Sequence, residues 1–152
     1  MEIIIAETRE QIAFCKEALF AFRTNLDSAT YIDLIIDMMA QEAFKLAYIP
    51  NEDNTKAAAF VGYRIMHTLR TSWSIYIDDL YTDPESRGKG YAGALLDFVD
   101  GVALAADIKF VHLDSGYMLH DAHRLYLNKG YVLACNHFAK SPLLSPAASG
   151  SR

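Results

Sequence analysis

The chain predicts an α/β (α+β) fold, and three observations carry that reading. Apolar residues recur at helical spacing in two early stretches. Ile12, Cys15, Leu19 and Phe22 mark the first; Ile32, Ile35, Ile36 and Met39 mark the second, opposed by Asp33 and Asp37. Runs rich in β-branched and aromatic residues alternate with such helical stretches. Between one of these runs and a later amphipathic stretch lies a glycine-rich segment, Arg87-Gly88-Lys89-Gly90-Tyr91-Ala92-Gly93, where a strand has ended and a helix begins.

Taken in order, residues 3–6 form a short β run, residues 11–22 one helix and residues 30–41 a second. Residues 44–49 and 56–69 read as strands. The link between them, Pro50-Asn51-Glu52-Asp53-Asn54-Thr55, is dense in turn formers. A third long strand follows over 74–81, then a polar turn over 82–86 containing Pro84, and a helix over 91–106. A strand over 109–114, a helix over 120–129 and a last strand pair within 131–138 complete the order. The pattern is consistent with a mixed, mostly antiparallel sheet flanked by helices. Residues 1–140 read as a single domain. Residues 141–152, with two prolines and a small, polar end, read as a loose C-terminal tail.

Composition narrows the function classes. The chain has 152 residues, 52% hydrophobic and 22% charged, which suits one globular domain with a proper core. No apolar run approaches the roughly 20 residues that span a bilayer, so no membrane role is expected. The start, Met1-Glu2-Ile3-Ile4-Ile5, lacks the basic opening of a signal peptide, and a cytoplasmic location is expected. The two cysteines, Cys15 and Cys135, make no disulfide framework, and Cys15 belongs to an apolar helix face rather than to a nucleophile's setting. A net charge of −5 argues against nucleic acid and suits a cationic amine partner. A homodimer is compatible with all of this.

The glycine-rich segment is where chemistry enters. A helix start offers unpaired N–H groups and the positive end of a dipole, which together hold phosphate oxygens. Gly88 and Gly90 let backbone approach a pyrophosphate closely, and Arg87 and Lys89 add charge. Residues 88–93 also fit the dinucleotide fingerprint, with Asp114 near the place of a ribose-binding acid. In that fold the first glycine follows its strand almost directly. Here a polar turn intervenes, and few strand–helix units follow Asp114. A nicotinamide-dependent oxidoreductase is therefore the weaker reading of the loop.

Read as Arg87-x-x-Gly90-x-Ala92, with Pro84 three residues before the arginine, the segment resembles the signature of the GNAT superfamily of acetyl-CoA-dependent N-acetyltransferases. Downstream, Ala122, Tyr126, Gly130 and Tyr131 resemble that superfamily's second motif. Leu80, Tyr81 and Thr82 sit where its cofactor-strand triplet sits. The paired acids before the loop resemble the polyamine and small-amine branch. The resemblance implies a GNAT-like sheet and acetyl-CoA as co-substrate. It also implies a small-molecule or peptide amine as acceptor. Backbone amides of residues 88–93 would hold the pyrophosphate, and backbone groups of Leu80, Tyr81 and Thr82 would pair with the pantetheine arm as an added strand. A non-catalytic module keeping the same pocket is the alternative from another class.

Acetyl transfer to an amine needs a held thioester, an amine that has lost its proton and a leaving thiolate that is stabilised. Tyr126 is the expected general acid: its hydroxyl, with a reference pKa of about 10, faces a thiol of about 8.5, so a hydrogen bond to sulfur serves where full transfer is uphill. Asp78 is the expected base or amine anchor. By strand alternation Asp78 and Asp79 should face opposite sides, leaving one of them in the cleft. Many GNAT proteins carry an asparagine three residues before the motif alanine. Leu119 stands there, and Asp114 with Ser115 is expected to substitute in cofactor contact. His120 and His123 are three apart on the helix beyond His112, but no acidic or cysteine set completes a metal site, and none is expected. Acceptor specificity should come from residues 24–30 and 134–137, where Asp27 either meets a cation or caps a helix.

Overall fold

The computed structural model describes residues 1–143; of the expected tail, residues 144–152 lie outside the described residues. The described chain divides into two compact units, the first Met1–Leu113 and the second beginning at Asp114.

The first unit is a five-stranded sheet in the order β1-β2-β3-β4-β5. Its strands are β1 (Ile4–Ile5), β2 (Phe44–Pro50), β3 (Ala57–Thr68), β4 (Ser72–Thr82) and β5 (Val111–Leu113). The first four pair antiparallel in sequence order, as short connections allow, and β5 joins β4 in parallel after a helical crossover. The mixed, mostly antiparallel sheet read from the sequence is thus the observed one. A doubly wound parallel sheet, which the dinucleotide reading requires, is not what these strands form.

Three helices precede β2. The helix expected over 11–22 is two, α1 (Arg9–Phe14) and α2 (Lys16–Phe22), parted at Cys15, whose N–H turns to the Ile12 carbonyl three residues back at 3.1 Å. The apolar stripe keeps its spacing through the break, since Ile12, Cys15 and Leu19 are all buried, so periodicity gave no sign of it. α1 opens with a capping box. The Thr8 hydroxyl accepts from the Gln11 N–H at 3.2 Å, and the Gln11 side chain accepts from the Thr8 N–H at 3.1 Å. α3 (Tyr31–Gln41) buries Tyr31 and Ile35.

Ile12, Leu19, Tyr31, Ile35, Phe44, Leu46, Tyr48 and Phe60 form one buried cluster joining these helices to the sheet. Burying each such side chain contributes roughly 1.5–3 kcal/mol. Tyr63, of opposite parity to Phe60 on β3, meets Phe98 of α4 (Tyr91–Ala105) with ring centroids 6.4 Å apart. α1–α3 therefore cover one face of the sheet. α4, burying Leu95, Leu96 and Val99, covers the other. The cysteine reading holds: Cys15 is fully buried, and burial pushes its thiol up to about 12, far from a reactive thiolate.

In the second unit α5 (His120–Asn128) ends in a Schellman stop. Gly130 adopts φ 87°, its N–H donates to the Leu127 carbonyl at 3.1 Å, and the Tyr131 N–H donates to the Tyr126 carbonyl at 3.0 Å. The strand pair expected within 131–138 does not form. That stretch has no regular secondary structure, and Val132, Leu133 and Phe138 are exposed. Strand preference is a fit to a neighbouring ladder rather than a property of the residues alone. Here side chains hold the segment instead, Asn136 accepting from the Tyr117 hydroxyl at 3.4 Å and His137 lying 3.5 Å from the Asp114 carboxylate.

Candidate active site

The centre of β4 is irregular. Asp79 pairs with Gly62 and Ile77 with Tyr63, so Asp78 is an extra residue on β4, a β-bulge. The bulge overturns the alternation expected from sequence. Arg64, on the same side of β3 as Gly62, holds the Asp78 carboxylate. A Cβ built on Gly62 would lie 3.3 Å from Asp79 Oδ2 and 2.8 Å from Phe44 Cζ. Both carboxylates therefore emerge on the face covered by α1–α3.

Each acid has its own arginine. Arg64 Nε donates to Asp78 Oδ1 at 3.0 Å and its Nη2 reaches Oδ2, while Nη1 engages Glu42. Arg23, the C-cap of α2, donates from Nε to Asp79 Oδ1 at 2.6 Å and from Nη2 to the Asp78 carbonyl at 3.3 Å. The side chains of Asp78 and Asp79 are only 17% and 18% exposed. Burial raises the Asp79 carboxyl above the ordinary range against the pull of Arg23, and the hydrogen bonds that Arg64 donates to Asp78 hold its guanidinium more firmly charged.

Past the bulge, β4 has a free margin. β5 pairs only with Ile75–Ile77, and no strand of the described residues pairs with Asp78, Asp79, Leu80, Tyr81 or Thr82 on that side. Tyr81 packs its ring against Phe22 and Phe60, at 5.5 and 6.0 Å between centroids, which fixes the strand beneath that margin. The Thr82 hydroxyl is buried without a hydrogen-bond partner in the described residues.

The chain then turns through a short 3-10 stretch, Pro84–Ser86, capped by Asp83, whose N–H is anchored to the Ala58 carbonyl at 2.8 Å. Arg87 Nε donates back to the Thr82 carbonyl at 3.3 Å. Gly88 and Gly90 take left-handed φ of 77° and 81°, and a Cβ at either would meet nothing within 4 Å. Gly90 is the N-cap of α4 and supplies no capping side chain, so the N–H groups of Tyr91, Ala92 and Gly93 open the helix without a side-chain acceptor from the cap. Lys89 is committed elsewhere, with Nζ 2.6 Å from Glu52 Oε1.

In the second unit, Tyr126 lies on α5 with its ring 5.9 Å from that of Tyr131, and burial raises its hydroxyl pKa. The Ser115 hydroxyl is buried and has no partner in the described residues. His123 Nε2 lies 2.8 Å from the Gly116 carbonyl, and no group of three potential metal ligands occurs among the described residues. Asp27 Oδ1 accepts from the Ala29 N–H at 2.7 Å, a local turn.

Sequence reasoning missed Arg23, Glu42, Phe44, Gly62 and Arg64. Two signals were present: an isolated glycine inside a strand, which marks a bulge or a close approach, and a lone arginine two residues further on in an apolar run.

Three comparisons bear on this geometry. The sequence profile of the Acetyltransferase (GNAT) family matches residues 12–131. The chain is 31% identical over 134 residues to the uncharacterized N-acetyltransferase YhdJ of Bacillus subtilis (strain 168), covering 88% of this chain and 93% of that protein. Among solved structures, ribosomal-protein-alanine N-acetyltransferase from Brucella melitensis biovar Abortus 2308 superposes with a TM-score of 0.78 at 15% identity, covering 93% of this chain and 99% of that one. The aminoglycoside 6'-N-acetyltransferase AAC(6')-IG from Acinetobacter haemolyticus gives 0.77 at 13%, covering 95% and 100%. At such identities these two show the shared fold. No helix of the described residues is long and apolar enough to cross a membrane. The profile match over most of the chain and the relative at 31% identity make the protein a member of the GNAT acetyltransferase family.

Proposed function

We propose that the protein moves the acetyl group of acetyl-CoA, the family's usual donor, to a primary amine by direct attack while both substrates are bound. The observation that carries this reading is the β4 margin past the bulge, which ends in two left-handed glycines at a helix start without a capping side chain. The pantetheine arm extends the sheet along Leu80, Tyr81 and Thr82 by strand addition. Its pyrophosphate lies on the amides of Gly88, Lys89, Gly90, Tyr91, Ala92 and Gly93, with Arg87 beside them. The lone hydroxyl of Thr82 is an acceptable partner for its amides.

In the reaction the amine's lone pair forms a C–N bond to the acetyl carbon, and the C–S bond breaks with its electron pair on sulfur. CoA leaves as the thiol, and one proton is released to solvent. Asp78 and Asp79 anchor the incoming ammonium and receive its proton, directly or through water. Asp79, whose carboxyl is raised by burial, is the better matched of the two to that task, since Asp78 is held in two places by Arg64. Tyr126 hydrogen-bonds the departing sulfur. Its raised pKa makes full proton transfer harder and leaves stabilisation of the thiolate as its contribution. Residues 24–30 shape the acceptor pocket, and the site of action is cytoplasmic.

Calorimetric titration with acetyl-CoA, with NADH as the matched control, tests the cofactor. Replacing Tyr126 with Phe then tests the chemistry. Turnover should fall by about 10²-fold or more with acetyl-CoA affinity within about twofold. Unchanged turnover would remove Tyr126 from the mechanism.

A further inference from the structure

The two arginines at the bulge differ in what they have left to give. All three nitrogens of Arg64 are engaged, Nε and Nη2 by Asp78 and Nη1 by Glu42, and its side chain is 19% exposed. That is a structural clamp. Arg23 is 48% exposed and uses only Nε and Nη2, so Nη1 has no hydrogen-bond partner among the described residues. Its guanidinium carbon lies over the Phe22 ring, 4.5 Å from the centroid, a contact that consumes no donor. Residues 24–30 follow it directly in the chain.

Charge at the site points the same way. Asp78, Asp79 and Glu42 against Arg23 and Arg64 leave a small acidic excess, enough to draw one ammonium. A bare amine approaching Asp79 must sit beside the Arg23 guanidinium, cation against cation. An amine that carries its own carboxylate removes that conflict, because the carboxylate accepts from the spare Nη1 while the ammonium meets Asp79. Arg23 and Asp79 are in direct contact, so the two substrate groups must also be close together. An amine and a carboxylate on one carbon satisfy this spacing.

We propose that Arg23 is a specificity-determining residue of the acceptor site, and that the acceptor class is the α-amino acid, bound by its carboxylate at Arg23 with its amine at Asp79. This inference rests on the placement of acetyl transfer at the β4 bulge.

The test uses the full chain, acetyl-CoA and matched acceptor pairs that differ only in the carboxylate: phenylalanine against phenethylamine, and lysine against cadaverine. Wild-type kcat/KM should favour the amino acid at least tenfold in each pair. Arg23→Gln should raise KM at least tenfold more for the amino acids than for the decarboxylated amines, and Arg23→Lys should recover part of that difference. Equal wild-type kcat/KM within the pairs overturns the inference. So does an Arg23→Gln variant that loses activity equally on both members, because that marks a purely structural ion pair. Acetyl-CoA binding without transfer to any amino acid also overturns it, while leaving the cofactor assignment standing. If acetyl-CoA fails to bind at all, the parent reading of the site falls and this inference falls with it.

Discussion

Glycine appears at two decisive places in this protein, for opposite reasons. At Gly62 the protein crowds the place of the missing side chain: a Cβ would lie 2.8 Å from the Phe44 ring and 3.3 Å from the Asp79 carboxylate. At Gly88 and Gly90 that space stands open, and the residue is required by backbone conformation, with φ near 80°. The first glycine lets a strand carry charge on its packed face. The second kind opens a helix whose first amides have no side-chain acceptor from the cap. In the proposed reaction one would serve the acceptor and the other the donor.

The contrast can be broken by substitution. Gly62→Val should have the largest effect on folding. It forces Phe44 and Asp79 aside in a packed layer, costing about 1–3 kcal/mol, and leaves acetyl-CoA affinity of the folded protein unchanged. Thermal melts and calorimetry measure the two quantities; a loss of acetyl-CoA affinity equal to that at the loop would dissolve the distinction. Gly90→Ala should show the reverse. It meets no steric clash, loses about 1–2 kcal/mol from the left-handed backbone, and weakens acetyl-CoA binding about tenfold. A melt shift with full affinity would mean that the loop's glycines serve the turn alone.

A smaller effect sharpens the Gly62 side. The Asp79 carboxyl is raised in the folded state, so the folded chain holds that proton more tightly than the unfolded chain. Its contribution favours folding at low pH and is lost as pH rises through the folded pKa. Asp79→Asn should therefore match the parent near pH 4 and be the more stable protein at pH 7. The stranded Arg23, half exposed, subtracts little. A parent that is the more stable at pH 7 would show that the Arg23 pair outweighs burial.

Much of the sheet was legible because hydrophobic spacing and turn residues report on it directly. β2, β3, β4 and α4 fall within a few residues of their expected positions. Three things were not legible. The break at Cys15 leaves the apolar stripe intact, so no periodicity marks it. The stretch 131–138 has strand-like residues but no strand beside it, and a ladder needs two partners. The bulge at Asp78 shifts register by one residue, which reverses facing, and only pairing with Gly62 reveals it. The loop, the triplet and Tyr126 were singled out by their resemblance to the family's motifs. Arg23 and Arg64 were not, because ion pairs 56 and 14 residues apart leave no local pattern.

The half-paired condition of β4 has one more consequence, in the time its amide protons take to exchange with deuterium. From Asp79 to Thr82 the strand has β3 on one side and no strand of the described residues on the other. Successive N–H groups along a strand point to alternate sides, so within these four residues slow and fast exchange should alternate. A donor that lies down along the margin would slow the fast set and leave the slow set as it was. The strand would then record, residue by residue, how far along it the ligand reaches.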